Sequence, residues 1–279
     1  MIFQKIDGIE YKLKEPFDFD FIHKYGVVFK VFDDQDSGNI CFGTEKDGKR
    51  YFIKFAGAST AEYCGNTENA IERLIDTLPI YENLKHNSLI KFLFAEKIGD
   101  GFAMIFEWAD GVCMGRMYDD DHKKIMSLPI SHKLKIFGSI ISFMEYIISK
   151  NYVAIDFYDG SIMYDVKRQK TTICDIDFFR KQPVFNDMGR MWGSDRFISP
   201  EECKYGELID EITNVFTLGK MAFSLFTDSD CNFSNYPLNR TSYDVLTKAT
   251  ENDRNCRYKS INEFKNAWNN AIYRNSEEN

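Results

Sequence analysis

Four charged residues at the ends of apolar, strand-like segments are the candidates for chemistry in this sequence. They are Lys54, Asp156, Asp175 and Asp177. A lysine can pair with phosphate, while carboxylates can orient a hydroxyl or hold a hard cation such as Mg²⁺. Taken singly, a lysine on a strand most often extends its ammonium to solvent, and an acid after a strand most often forms a turn. The order and spacing of the surrounding segments therefore decide between the two interpretations.

Composition narrows the class of protein. The chain has 279 residues, of which 44% are hydrophobic, and this suits one large globular domain or two small lobes. The formal net charge of -8 disfavours nucleic acid or an anionic membrane as the main partner, because both require a basic surface. The seven cysteines are scattered without a Cys-x-x-Cys pair, which argues against a zinc site or a disulfide framework and favours a cytoplasmic protein.

The first part of the chain predicts a β-rich unit with one helix. An extended lead-in over residues 1–20 precedes three strand-like segments joined by polar turns, and Lys54 lies in the third. Apolar residues at helical spacing predict a helix within residues 60–85, and two more strands are expected at 89–94 and 102–106.

Beyond Gly111 the pattern becomes mainly helical. A polar loop is expected over residues 112–130, then a long amphipathic helix over 130–150, and helices again from residue 207 onward. Short strands are expected between these helices. Their ranges are 152–155, 162–165 and 171–174.

This order of elements, with the four charged residues at their ends, resembles the protein kinase family over roughly residues 20–270. The expected fold class is α+β, a bilobal protein kinase-like fold. Its β-rich N-lobe would cover residues 1–110 and its mainly helical C-lobe residues 111–279, together forming one domain. The resemblance implies ATP and Mg²⁺ as cofactors and a protein as the substrate.

The glycine-rich loop of that family is only partly matched. Gly38 and Ile40 fall where kinases have the last glycine and the valine that contact the nucleotide. Asp33 and Gln35 stand at the two earlier glycine positions. Glycine lets a backbone approach phosphate, whereas an aspartate at the same place repels it.

Lys54 matches the lysine on the third strand of kinases, and the resemblance makes it both catalytic and nucleotide-binding through the α- and β-phosphates. Phe52, two residues earlier on the same face, replaces the alanine that usually lies above adenine. The helix glutamate that pairs with this lysine is missing, since its position falls on Thr77. Asp76 is the preferred substitute, and Glu72, one turn earlier, is the alternative.

Residues 106–111 resemble the linker between the two lobes of a kinase. By that resemblance Phe106 is the gatekeeper, while the Glu107 carbonyl and the Ala109 backbone face adenine. Recognition through the backbone tolerates changes of side chain, so these positions are assigned by their place in the chain.

Residues 152–161 resemble the catalytic loop H-R-D-L-x-x-x-N. Asp156 takes the place of the base that orients the acceptor hydroxyl. Ser161 takes the place of the asparagine that binds metal and contacts the nucleotide. The histidine and arginine before the aspartate are replaced by apolar residues, and Tyr158 replaces a lysine that often lies near the γ-phosphate.

The segment Ile173 to Phe179 resembles the strand end that carries D-F-G in kinases. Asp177 is expected to hold Mg²⁺ between phosphate oxygens, and Phe179 replaces the glycine. Asp175 lies two residues earlier on the same face and is the second candidate for the same ligand position.

Two further features resemble structural parts of the family. Ser199-Pro200-Glu201 resembles A-P-E, and Arg257 resembles the late arginine that forms a buried pair with its glutamate. Asn214 stands in the following helix, where an aspartate is usual.

Three functions follow from these motifs. The first is an ATP- and Mg²⁺-dependent phosphotransferase acting on Ser or Thr of proteins, in which Lys54 clamps phosphates, Asp156 orients the acceptor hydroxyl and Asp177 binds metal. The alternative is a pseudokinase that binds partners, because several motif residues are replaced. The third is a small-molecule kinase of the aminoglycoside type, against which the A-P-E-like segment and the late arginine argue.

The segment between Phe179 and Ser199 is expected to be ordered without phosphorylation. Ile155 replaces the arginine that pairs with a phosphate in this segment of many kinases. The segment instead carries large apolar residues whose burial would hold it in place. They are Phe185, Met188, Met191, Trp192 and Phe197.

Overall fold

The structure is a computed structural model that describes residues 1–273. It divides into two compact units. The first comprises Met1–Lys85 and Ile90–Ala109, and the second comprises His86–Leu89 and the chain from Asp110 onward.

The first unit combines a hairpin, a five-stranded sheet and one long helix. Its elements are β1 Ile2–Ile6, β2 Ile9–Leu13, β3 Val27–Phe32, β4 Asn39–Lys46, β5 Lys49–Ala56, helix α1 Thr67–Asn83, β6 Phe92–Ile98 and β7 Gly101–Glu107. Strands β3 to β7 form an antiparallel sheet in the order β3-β4-β5-β7-β6, while β1 and β2 pair only with each other. The five predicted strands of the sheet and the single helix are therefore present.

Residues 1–20, predicted as an extended lead-in, instead begin with the β1–β2 hairpin. Its turn is Asp7-Gly8, where φ is 49° and 84°, as two-residue hairpin turns require. Tyr11 and Leu13 on β2 are buried in a core that also includes apolar residues of the sheet. The lead-in prediction was wrong because these alternating side chains give the segment an apolar face of its own.

The sheet has two different faces. Lys54 pairs across the strands with Cys41 and Met104, so these three side chains share one face. Helix α1 covers part of this face, where the Thr77 hydroxyl lies 3.2 Å from Met104 Sδ. Ile40 lies on the opposite face, in the core beneath the N-terminal hairpin. The hairpin thus stabilises one side of the sheet and leaves the Lys54 side to α1.

The second unit contains mainly helices, with short strands between them. Its elements are β8 Val112–Cys113, α2 Asp119–Met126, α3 Ile130–Ser149, β9 Tyr152–Val153, β10 Ile162–Asp165, β11 Lys170–Ile173, β12 Arg180–Lys181, β13 Val184–Phe185, β14 Leu208–Ile209, α4 Glu211–Thr227, α5 Arg240–Ala249 and α6 Ile261–Tyr273. Helix α2 lies within residues 112–130, which were predicted as loop. Its three leading aspartates suit the positive end of the helix dipole.

Helices α3, α4 and α6 meet around one aromatic cluster. The ring of Phe137 on α3 lies 5.0 Å from Trp268, 6.1 Å from Phe226 and 6.2 Å from Phe264, measured between ring centroids. A β-rich N-terminal unit followed by this helical unit confirms the predicted α+β class and the bilobal, kinase-like fold. Within residues 1–273, none of the helices is long and apolar enough to cross a membrane.

Candidate functional site

The backbone before Asp156 is held by a buried amide. Asn214 on α4 is fully buried; its Nδ2 donates to the Ala154 carbonyl at 2.8 Å, and the Ala154 N–H donates to its Oδ1 at 2.9 Å. Asp156 itself has a φ of 55°, in the left-handed region that side chains rarely adopt. Such a conformation persists where the surroundings impose it, and it concentrates at functional sites. Asn214 performs this anchoring without the charge of the usual aspartate.

Tyr158 shares its surroundings with two acids of the second unit. Burial raises the pKa of its phenol, and the charges of Asp175 and Asp156 raise it further. Its ring lies over Gly160, where an added Cβ would come within 2.3 Å of the ring. The structure therefore places Asp175 in the same electrostatic environment as Asp156. The choice between Asp177, the first candidate, and Asp175, the second, as the acid that acts beside Asp156 stays a prediction.

Ser161 provides a buried oxygen suited to a ligand. Its side chain is fully buried, and its hydroxyl has no hydrogen-bond partner among residues 1–273. The Cys174 N–H donates to the Ser161 carbonyl at 2.8 Å, which ties the end of the loop carrying Asp156 to the segment carrying Asp175. A buried hydroxyl without a partner is costly unless something else satisfies it. An oxygen in this position fits a hard cation or a phosphate group.

Within residues 1–273 there is no cluster of three or more His, Cys, Asp or Glu able to enclose a metal. This is compatible with Mg²⁺ in a nucleotide site, where one or two carboxylates suffice because phosphates and water supply the remaining ligands. Ser161, Asp175 and Asp177 are accordingly the residues that could hold it.

On the first unit, Phe52 belongs to an aromatic cluster beside Lys54. Its ring centroid lies 5.8 Å from that of Phe32, 6.2 Å from Phe106 and 6.4 Å from Trp108. Phe52 pairs across the strands with Phe106, so the predicted gatekeeper lies on the Lys54 face and is buried. The place expected for adenine is thus bordered by rings where most kinases have small side chains.

Two predicted nucleotide contacts, Ile40 and Gly38, need correction or comment. Ile40 pairs with Phe55 and lies on the face opposite to Lys54, so it cannot line the nucleotide side of the sheet. Cys41, one residue later, pairs with Lys54 and takes that place. Gly38 has a φ of 83°, and a Cβ there would come within 2.7 Å of both Ala70 and the Tyr63 ring. Packing against α1 therefore accounts for this glycine without any phosphate contact.

The predicted partner of Lys54 on α1 is not supported. Asp76 and the alternative Glu72 are both exposed. Thr77 is buried instead, and its hydroxyl also donates to the Leu74 carbonyl at 2.8 Å. Residues at positions 70, 74, 77 and 81 form the buried face of this helix, which turns position 76 outward. The helix thus offers no carboxylate at the usual position.

Glu107 and Ala109, the two predicted linker residues, lie at the end of the first unit. Glu107 is exposed, its N–H donates to the Lys91 carbonyl at 2.9 Å, and its side chain forms an ion pair with Lys91 at 2.5 Å. Ala109 is the last residue of the first unit. Their roles toward adenine stay predictions.

That the segment after Phe179 is ordered without phosphorylation stays a prediction, and apolar burial supports it only in part. Two of the five large apolar residues are buried and three are exposed. Met191 and Phe197 are 1% and 3% exposed, whereas the exposed fractions of Phe185, Met188 and Trp192 are 56%, 41% and 48%. The expectation that all five hold the segment down was therefore wrong for the exposed three.

Asn186 fixes this segment through hydrogen bonds that the sequence analysis missed. Its side chain is buried, and its Nδ2 donates to the carbonyls of Gly189 and Glu202, both at 2.9 Å. Its Oδ1 accepts from the N–H groups of Met188 and Gly189, both at 3.0 Å. One amide side chain therefore joins both ends of the loop in the unmodified chain.

The A-P-E-like segment carries two buried acids with different partners. Glu201 forms a two-bonded ion pair with Arg257, at 2.6 and 3.0 Å, as predicted. Glu202 lines a small cavity together with Asp156, Trp192 and Thr217. A second acid beside the motif glutamate is visible in the sequence, but its burial is not.

Burial raises the pKa of Glu202 to about 7, although the Ser199 N–H, which donates to it at 2.8 Å, acts to lower it. An acid with a raised folded-state pKa destabilises the fold as pH rises from its unfolded value, 4.5, to 7. Glutamine does not titrate, so we expect Glu202→Gln to lack this pH-dependent loss of stability. The free energy of unfolding of the variant relative to wild type should therefore increase by about 3 kcal/mol between pH 4.5 and pH 8. Urea unfolding at the two pH values measures the change.

Glu207→Gln, at a more exposed carboxylate paired with Lys204, is the control for the Glu202 experiment. We expect its stability relative to wild type to vary little with pH. An equal effect of Glu202→Gln at both pH values would show that folding does not raise the pKa of Glu202.

Comparison with known proteins identifies the family. The protein kinase domain family matches residues 36–273, which is most of the chain, and the chain therefore belongs to this family. No curated protein matches it. The N-terminal hairpin and the strand that follows it precede the matched residues.

Proposed function

We propose that this chain is an ATP-dependent protein kinase that transfers the γ-phosphate to a serine or threonine hydroxyl of a protein. The observation that supports this most directly is the anchoring of the catalytic loop by Asn214. The amide fixes the backbone two residues before Asp156 although the usual aspartate is absent. A loop that had lost its role would not need a buried amide to hold Asp156 in a left-handed conformation.

Each residue has a role that its chemistry permits. Asp156 would accept a hydrogen bond from the acceptor hydroxyl and orient its oxygen toward the γ-phosphate. Lys54 would offset the charge of the α- and β-phosphates. Ser161, with Asp175 and Asp177, would hold Mg²⁺, which when bound neutralises phosphate charge. Tyr158, in place of lysine, supplies a hydrogen-bond donor without a positive charge.

A phosphate-transfer assay with γ-labelled ATP and Mg²⁺ tests the proposal, using the protein itself and a mixture of unfolded proteins as acceptors. We expect transfer by the wild type and a loss of about 10²-fold in Lys54→Met, because one cation facing the phosphates is removed. Lys49→Met removes a lysine from the exposed start of the same strand and serves as the control. Equal transfer by Lys54→Met and wild type would exclude Lys54 from the reaction.

The aromatic cluster around Phe52 favours a second candidate, a pseudokinase that acts by binding a partner. Phe52, Phe32 and Trp108 pack on one another where adenine is expected. If these rings fill the space completely, ATP does not enter and the fold is left with a binding role.

We expect Phe52→Ala to strengthen ATP binding by about three- to tenfold, because it removes a ring from the place expected for adenine. The size of the effect corresponds to part of the contact area of one side chain. Titration calorimetry with ATP and Mg²⁺ measures the affinity. Phe32→Ala removes a ring of the same cluster from β3, which is separated from the Phe52 strand by β4, and is the matched control. Weaker binding by Phe52→Ala would instead show that the ring stacks on the base.

A further inference from the structure

The loop between β3 and β4 carries acids at two neighbouring positions, and both acids bind the N-terminal hairpin. The backbone N–H of Lys12 donates to Asp33 Oδ2 at 2.7 Å. The Lys12 ammonium lies 2.5 Å from Asp34 Oδ1 and 2.8 Å from Glu62 Oε1. One residue of β2 therefore contacts three carboxylates, two of which belong to the loop that covers the phosphates in kinases.

Lys12 is held in place by its neighbours on β2. Leu13 is fully buried and forms a bridge with Thr60. The N–H of Lys14 donates to the Ser59 carbonyl at 2.9 Å, and its ammonium donates to the Tyr63 carbonyl. The strand end is thus fastened to the segment that leads into α1, which fixes the point from which Lys12 reaches the loop.

The far end of the same loop is fastened as well. Arg73 on α1 donates to the Ser37 carbonyl at 2.9 Å, and its guanidinium lies 5.0 Å from the centre of the Tyr63 ring. Gly38 packs against Ala70 and Tyr63. With Lys12 at one end and α1 at the other, the loop has a defined position before any nucleotide binds.

The charge of Lys12 matters as much as its position. Unpaired aspartates in this loop would repel a triphosphate, and repulsion between exposed charges is felt over about 8–10 Å at ordinary ionic strength. Hydrogen bonds to Asp34 and then to Glu62 raise the pKa of Lys12, so it stays protonated. Asp34 is exposed while the Lys12 side chain is 24% exposed, so the pair lies at the surface where a ligand's charge is felt.

We propose that Lys12 is a positioning residue for the nucleotide, which holds the β3–β4 loop and offsets the charge of Asp34 so that the loop better tolerates the phosphates of ATP. The inference rests on the proposed function. It also assigns a role to the N-terminal hairpin, which lies outside the residues that match the kinase family. Lys12 itself need not touch the nucleotide.

The first test compares the steady-state kinetics of Lys12→Ala with those of wild type. We expect KM for ATP to rise about five- to tenfold while kcat changes by less than about twofold, because an interaction equal in ground and transition states is lost. The increase should shrink at 0.5 M NaCl through screening. Lys5→Ala removes the same charge from an exposed ion pair of the same hairpin, and it should leave KM unchanged.

The second test asks whether charge is the cause. Lys12→Arg and the double variant Lys12→Ala/Asp34→Asn should each recover most of the wild-type KM, since one restores the cation and the other removes the acid. A purely structural role of Lys12 would give no recovery in the double variant. An unchanged KM in Lys12→Ala, or a change of the same size in Lys5→Ala, would overturn the proposal.

Hydrogen exchange of residues 33–38 separates this inference from the proposed function. In Lys12→Ala we expect the backbone amides of the loop to exchange at least about tenfold faster, whether or not nucleotide is present. If the wild type binds no ATP, the proposed function fails, and the hold of Lys12 on the loop is judged by exchange alone. Unchanged exchange of these amides in Lys12→Ala would overturn the inference that Lys12 holds the loop.

Discussion

Asp156→Asn is expected to lower phosphate transfer about 10³-fold, within the range of a positioned acid–base group, while leaving the fold intact. Asparagine has nearly the same shape as aspartate, so the left-handed conformation at this position, with a φ of 55°, should be kept. What is lost is the negative charge that orients the acceptor hydroxyl and accepts its hydrogen bond. Nucleotide affinity should change little, because the acid acts on the acceptor.

Single-turnover transfer from labelled ATP, together with ATP affinity measured by calorimetry, separates the two effects. Asp187→Asn is the control, because it removes an exposed carboxylate from the segment after Phe179. A folded Asp156→Asn protein that retains more than about a tenth of the wild-type rate would exclude Asp156 as the orienting group. The phosphotransferase proposal would then need another acid to orient the acceptor hydroxyl.

The sheet around Lys54 was predictable because its strands alternate and their turns carry clear signals. Asp47-Gly48 marks the β4–β5 turn, and both residues have positive φ. Asp7-Gly8 is the same signal between two alternating segments, so the β1–β2 hairpin could also be predicted from sequence. Where pattern and turn residues agree, the local fold follows from short-range chemistry.

Register was harder to predict than the elements themselves. Ile40 and Cys41 differ by one position, but one residue exchanges the two faces of a strand. Two of the three glycines of the kinase loop are missing here, so aligning the two loops does not fix the register of β4 to within one residue. Asp76 and Thr77 show the same difficulty on a helix, where one position turns a side chain by about 100°.

Features that depend on distant partners could not be predicted. Asn186 is an ordinary polar residue in the sequence, and its importance comes from backbone groups of Gly189 and Glu202 that only the fold brings near. Lys12 likewise gains its role from Asp34 and Glu62, which are far away in the chain. Hydrogen-bonding capacity can be read from a sequence, but its partners cannot.

Arg257 and Glu201 form the most deeply buried ion pair among the described residues whose exposure is given, with side chains 0% and 5% exposed. The arginine also donates through Nε to the Glu251 carbonyl at 2.6 Å and lies over the Phe216 ring at 4.7 Å. Burial acts to raise the pKa of Glu201, but the hydrogen bonds from Arg257 outweigh it and hold the pKa below its ordinary value. The arginine is therefore the main group that keeps this buried acid ionised.

We expect Arg257→Leu to lower the free energy of unfolding by about 3–5 kcal/mol at pH 8, since it leaves a buried carboxylate without its cationic partner. The loss should be smaller at pH 5, where Glu201 can bind a proton once the arginine is gone. Urea unfolding at both pH values measures it.

A double variant and a surface control decide whether the unpaired charge is responsible. Arg257→Leu/Glu201→Gln should recover part of the lost stability, because no charge then remains buried, although the hydrogen bonds to the Glu251 and Asn252 carbonyls stay lost. Arg240→Leu breaks an exposed pair with Asp244 and should cost less than about 1 kcal/mol. If Arg257→Leu cost no more than Arg240→Leu, the buried pair would contribute nothing to holding the A-P-E-like segment, and Asn186 would have to hold it without this support.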